Sequence, residues 1–173
     1  MTTEEARSLA EARAHAVEAY NHSSALDAGR GVGIATIDQL VNEGFRTGII
    51  ATDDSHDVPA DSFGGWVMVA AEALKAGAII KALKAGDYFA SCGPAFTSIR
   101  LDGNMLQVTC SPVDRIVIAA GGHRSFATSG NGMTEAQIEI SSTDFEFFRV
   151  VLIARPGKQA WSNPYWMDDL GLH

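Results

Sequence analysis

The chain is poor in most of the features that announce a function. Cysteine is scarce, with 2 residues in 173, Cys92 and Cys110. That is too few for a disulfide-built scaffold, and no CxxC spacing marks a structural zinc pair. Long apolar runs are missing. The longest, at 66–71 and 150–154, fall far below the roughly 20 residues that a membrane-spanning helix needs. The opening residues Met1-Thr2-Thr3-Glu4-Glu5 are acidic and lack the basic start of a secretion signal. No membrane partner is therefore expected, and the location expected is cytoplasmic, with reduced thiols. Positive charge is short as well. Lys and Arg number 13 against 21 Asp and Glu, for a net charge of -8. Without any basic cluster, such a chain is not expected to bind nucleic acid.

Signature loops are absent too. There is no GxSxG nucleophile elbow, no Walker A loop and no GxGxxG. The run Gly29-Arg30-Gly31-Val32-Gly33 is glycine-rich but lacks the strand-turn-helix setting of a phosphate loop, and it reads as a flexible loop. What is present is ordinary globular material: 46% hydrophobic and 20% charged residues, enough for a sizeable core.

The two halves differ in pattern. In the first, Thr2 and Glu5 fit a capping box opening a helix that runs to Arg13. A buried strand is expected at 16–20, a polar loop at 21–33, a helix at 34–43 capped by Gly44, and a strand at 47–51. Strand, helix, strand at this spacing implies two parallel strands whose C-terminal ends share one edge. Ligand sites in parallel α/β folds gather at such edges. A further strand at 66–71 and a helix at Ala76–Ala85 follow. After Cys92-Gly93-Pro94 only strands are expected: a hairpin at 96–101 and 105–110 around Asp102-Gly103, then 115–120, 136–140 and Phe147–Ala154. Residues 1–93 thus read as an α/β unit and 94–173 as a small all-β, sandwich-like unit.

The sharpest motif is Asp53-Asp54-Ser55-His56. In extended backbone, Asp54 and His56 point the same way and could reach one metal together, with Asp53 facing away to orient a ligand. Carboxylate plus imidazole suits zinc, manganese or iron. The same residues also make an ordinary polar turn after a strand. Asn21 and His22 fall at the same edge. Glu18 lies inside an apolar strand, where a carboxylate needs a partner. His15, His123 and His173 join no cluster. The 61–66 stretch, with Gly64-Gly65, reads as a backbone turn, with the flank of a substrate path as the alternative.

The segments Val17-Glu18-Ala19-Tyr20-Asn21-His22, Arg46 through His56, Gly64-Gly65-Trp66-Val67-Met68-Val69, Ala82 through Pro94 and Ala160-Trp161-Ser162-Asn163-Pro164 resemble, in order, the polymerase-and-histidinol-phosphatase (PHP) superfamily of metal-dependent phosphoesterases. The resemblance covers nearly the whole chain. It implies a partial (β/α) barrel and a metal-bound hydroxide attacking a phosphate-ester small molecule. It also implies a site in which Asp54 and His56 supply metal ligands, with Glu18, Asn21 and His22 beside them. His22, Asp54 and His56 would then be the catalytic set, and Arg30 and Arg46 the nearest phosphate clamps. Family members begin with an H-x-H strand and further ligands, none of which occurs here. The chain therefore resembles the C-terminal half of such an enzyme. A homodimer, or a missing N-terminal half supplied separately, is expected to cover the open edges. A non-catalytic remnant acting through self-association or a partner chain is the alternative. A sugar-binding β unit rests on fold analogy alone.

Overall fold

The computed structural model describes residues 2–58, 60–140 and 145–172. The terminal His173 and the opening Met1 lie outside them. The chain forms two compact units, Met1–Cys92 and Gly93–His173.

In the first unit, α1 (Thr3–Glu11) opens with the capping box: Thr2 Oγ1 accepts from the Glu5 amide, and Glu5 accepts from the Thr2 amide. β1 (Ala16–Asn21) and β2 (Gly48–Thr52) pair in parallel, joined through α2 (His22–Ala28) and α3 (Ile34–Asn42). The α3 periodicity buries Ile37, Leu40 and Val41 against this pair, each burial contributing about 1.5–3 kcal/mol. Arg7 Nε and Nη2 donate to Glu43 at 2.8 and 2.7 Å, tying α1 to the end of α3. With Gln39 also donating, this contact holds the Glu43 carboxyl down at about 2. At the surface such a pair adds little stability.

Residues 21–33 are not a loop. Asn21 caps α2, and the glycine run after it lies along β1, where Asn21 N donates to Gly31 O and Gly33 N to Ala19 O, both at 2.9 Å. A Cβ on Gly31 would stand 2.3 Å from Asn21 O. The glycines permit close backbone approach, which composition alone reads as flexibility.

The expected (β/α) barrel is not what these residues form. Strand makes up 45% of the described residues and helix 23%, so the class is mostly β. β1 and β2 pair in parallel, but β3 (Trp66–Val69) and β4 (Tyr88–Ser91) pair antiparallel, Trp66 opposite Ser91 and Val69 opposite Tyr88. The helix between them, α4 (Ala76–Ala85), buries only Ala82. A crossover helix that keeps strands parallel must lie across the sheet and bury a full face. α4 instead leaves Ile80 exposed, so β3 and β4 behave as the arms of a wide hairpin.

The second unit is antiparallel, and it is one sheet rather than the expected sandwich. β5 (Phe96–Asp102) forms a tight hairpin with β6 (Met105–Ala120), Asp102 facing Met105. β6 runs on through 115–120 as one 16-residue strand. One edge of β6 pairs with β7 (Arg124–Glu139). The other pairs first with β5 and then with β8 (Phe147–Ala154). β9 (Lys158–Ser162) and β10 (Tyr165–Trp166) pair with β8. Between Thr109 and Arg115 the β6–β7 register slips, at the position of Pro112, which cannot donate to a ladder. Leu106, Val108, Ile116 and Ile118 of β6 are fully buried, as are Val150 and Leu152 of β8.

Candidate functional site

The C-terminal ends of β1 and β2 carry a hydrogen-bonded polar cluster. Glu18, inside β1, has found its partners. Its Oε1 accepts from the Thr52 hydroxyl on β2, and its Oε2 from Asn21 Nδ2 at 3.2 Å. In a regular strand, residues 18 and 21 point to opposite faces. A bulge between Glu18 and Tyr20 breaks that alternation and lets Asn21 reach the same side. Asn21 Nδ2 also donates to Asp54 Oδ2 at 3.1 Å. Its Oδ1 accepts from Ser24 N at 2.8 Å, capping α2. The amide orientation is thereby set: Asn21 presents its NH2 to two carboxylates, and acts as an orienting donor rather than as the metal ligand the resemblance implies.

Asp54 departs from the extended geometry on which the D-x-H reading rests. β2 ends at Thr52, and Asp54 is left-handed, with φ 51°. That turn sends its carboxylate to Asn21. His56 is exposed, and its backbone N–H donates to Asp61 Oδ2 at 2.7 Å. Asp61 also accepts from Ser55 Oγ at 2.7 Å and from the Asp57 amide at 3.1 Å. Led by the His56 amide, these donors hold the Asp61 carboxyl below its ordinary value. Asp61 is a buried loop anchor, where the sequence reading had only the start of a backbone turn. Its one signal was an Asp a few residues after a polar turn, a position from which Asp bonds backbone amides.

The Asp53 carboxylate is bound by the backbone of a nearby turn. Its Oδ1 accepts from the Gly64 and Gly65 amides at 2.7 and 2.8 Å, and its Oδ2 from the Phe63 amide at 2.7 Å. Burial pushes the Asp53 carboxyl up, but the Gly65, Phe63 and Gly64 donors together outweigh it and hold the group below its ordinary value. Asp53 therefore clamps the 63–65 turn. Its backbone oxygen accepts from Ser23 N at 2.9 Å, so one residue fixes the turn and the start of α2.

His22 is packed in place. Its Nδ1 lies 3.0 Å from the Tyr20 hydroxyl. A Cβ on Gly64 would stand 2.1 Å from its ring, so only glycine fits there. Burial pushes the Tyr20 hydroxyl up, with Cys92 and Asp53 adding to it. Arg30 and Arg46, the expected clamps, are both exposed.

The donor set bears on the implied metal. Two carboxylates, Glu18 and Asp54, converge on one amide, an oxygen-rich arrangement that suits manganese better than zinc. A hydrolytic centre usually needs three protein ligands. Among the described residues no group of three His, Cys, Asp or Glu side chains could hold a metal ion. His22 and His56 do not join the two carboxylates. The residues present fit part of a cation site and not a whole hydrolytic centre. No helix among the described residues is long and apolar enough to cross a membrane, and both cysteines are buried and form no disulfide. Comparison with family models, with curated proteins and with solved structures finds no match to this chain.

Proposed function

We propose that this chain is part of a PHP-type metal-dependent phosphoesterase, in which Glu18 and Asp54 are its share of a divalent-cation site and further ligands come from outside these two residues. The observation that carries the reading is the convergence of both carboxylates on Asn21 Nδ2. The donors that reach them, an amide and the Thr52 hydroxyl, are uncharged. Two anions gathered on neutral donors, in a chain of net charge -8, repel each other and favour a bound cation. The motifs around Glu18, Asp54 and His56 supply the phosphoester class.

A second reading has its own support. Asn21 already links the two carboxylates without any cation, which is what a non-catalytic remnant would need. Manganese binding by the chain, followed in the parent and in Asp54→Asn, separates the two. Binding that Asp54→Asn weakens at least about tenfold is expected from a share of a phosphoesterase cation site. No binding at millimolar manganese, or binding that Asp54→Asn leaves unchanged, overturns it in favour of the remnant.

A further inference from the structure

Phe63 stands in the turn that Asp53 clamps, and it goes against its residue type in two ways. It is 86% exposed, the most exposed aromatic side chain among the described residues. It is also left-handed, at φ 62°, a conformation that is unfavourable for a bulky residue and suits glycine. The two glycines that follow it do not take that conformation. They sit where nothing larger fits: a Cβ on Gly64 would stand 2.1 Å from the His22 ring, and one on Gly65 2.5 Å from Thr52 O. The turn thus holds a large apolar ring in solvent at its left-handed position. Burial does not explain the ring, and backbone preference opposes it. Strain that the surroundings hold in place gathers at ligand sites.

The surroundings here are the polar cluster's own supports. The Phe63 amide donates to Asp53 Oδ2 at 2.7 Å, and Ser62 Oγ lies 2.9 Å from Ser55 Oγ. Between Asp53 and Ser55 in the chain is Asp54, whose carboxylate accepts from Asn21. On the other side, Gly64 abuts His22, the residue after Asn21. The turn is therefore fastened to both strand ends that bring Glu18, Asn21 and Asp54 together.

We propose that Phe63 is a specificity-determining residue of this site, whose ring stacks on the flat ring of an aryl phosphate ester. The inference rests on the reading of Glu18 and Asp54 as a share of a cation site, since the cation takes the phosphate. The attachment of the Phe63 turn to the residues on either side of Asp54 favours a ring joined directly to the ester oxygen. An aromatic pair adds to what apolar contact alone contributes, so the site is expected to prefer a flat ring over a saturated one of the same size.

The test is binding of phenylphosphonate, an uncleavable analogue, to the full chain in millimolar manganese. Cyclohexylphosphonate, which matches its size without a flat face, is the comparison. The parent is expected to bind the phenyl compound about three- to tenfold more tightly. Phe63→Gly is expected to remove that preference and Phe63→Tyr to retain it. Phe63→Gly is also expected to unfold at a urea concentration no lower than the parent's, because glycine suits φ 62° and the exposed ring adds no burial. A lower midpoint makes the ring a structural one and overturns the proposal. A parent that binds neither phosphonate, or both alike, overturns it too and leaves the ring to a protein partner, as does a preference that survives Phe63→Gly. A parent that binds no manganese overturns the cation reading and this inference with it. Manganese binding without a ring preference overturns this inference alone.

Discussion

Asn21 and Asp54 stand on neighbouring strand ends, and the Asn21 amide donates to Asp54 Oδ2 at 3.1 Å while the same Nδ2 reaches Glu18 Oε2 at 3.2 Å. One NH2 group thus holds two carboxylates together. A strand bulge delivers Asn21 to Glu18, and a left-handed residue delivers Asp54 to Asn21. Neither feature is an incidental irregularity, since each aims a side chain.

Replacing that amide by a carboxylate tests what the cluster is for. In Asn21→Asp, one oxygen still caps α2 through Ser24 N, because Asp caps as well as Asn. The other oxygen meets Glu18 and Asp54 as a third anion. In chelator the variant is expected to lose about 1–3 kcal/mol in urea unfolding. Added manganese is expected to recover most of the loss. An equal loss with and without manganese contradicts a cation site.

Gly64 should tolerate no side chain while His22 is present. Gly64→Ala brings a Cβ to 2.2 Å from His22 Nδ1 and is expected to cost about 1–3 kcal/mol. In the His22→Ala background the same change should cost much less, for a coupling of about 0.5–3 kcal/mol. Additive costs would place the clash elsewhere.

Asp53 predicts an acid dependence. Its folded-state pKa lies below the ordinary 3.8, so its contribution to stability is complete above that value. The contribution is lost as pH falls through the lower, folded-state value. Asp53→Asn should be less stable than the parent at pH 7, and the gap should narrow on acidification below about 4. Unfolding by urea at a series of pH values measures it. A gap that holds constant with pH refutes the clamp as an ionised group.

The parallel pairing of β1 and β2 was legible because the Ile37, Leu40 and Val41 spacing and the two short apolar runs leave few other arrangements. The placing of Asn21 and His22 beside Asp53, Asp54 and His56 at one edge followed from that connectivity, whereas the bulge that brings Asn21 to Glu18 did not. The antiparallel turn of β4 was not legible, since a ten-residue helix between two strands reads the same whether or not it packs across them. Nor was the joining of 105–110 and 115–120 into one strand, because Pro112 reads as a break and serves as a bulge. His56 was misplaced for a local reason. The D-x-H geometry assumes extended backbone, and Asp54 is not extended.

The most direct test of the cation site is manganese binding, measured by titration calorimetry on the parent and on Glu18→Gln/Asp54→Asn, which keeps shape while removing both charges. The account predicts one manganese ion per chain, with a dissociation constant on the order of 10⁻⁴ M, as expected for a site short of ligands. It predicts binding at least about tenfold weaker in the double variant. Equal binding in the two proteins, or none in the parent at millimolar manganese, would contradict it.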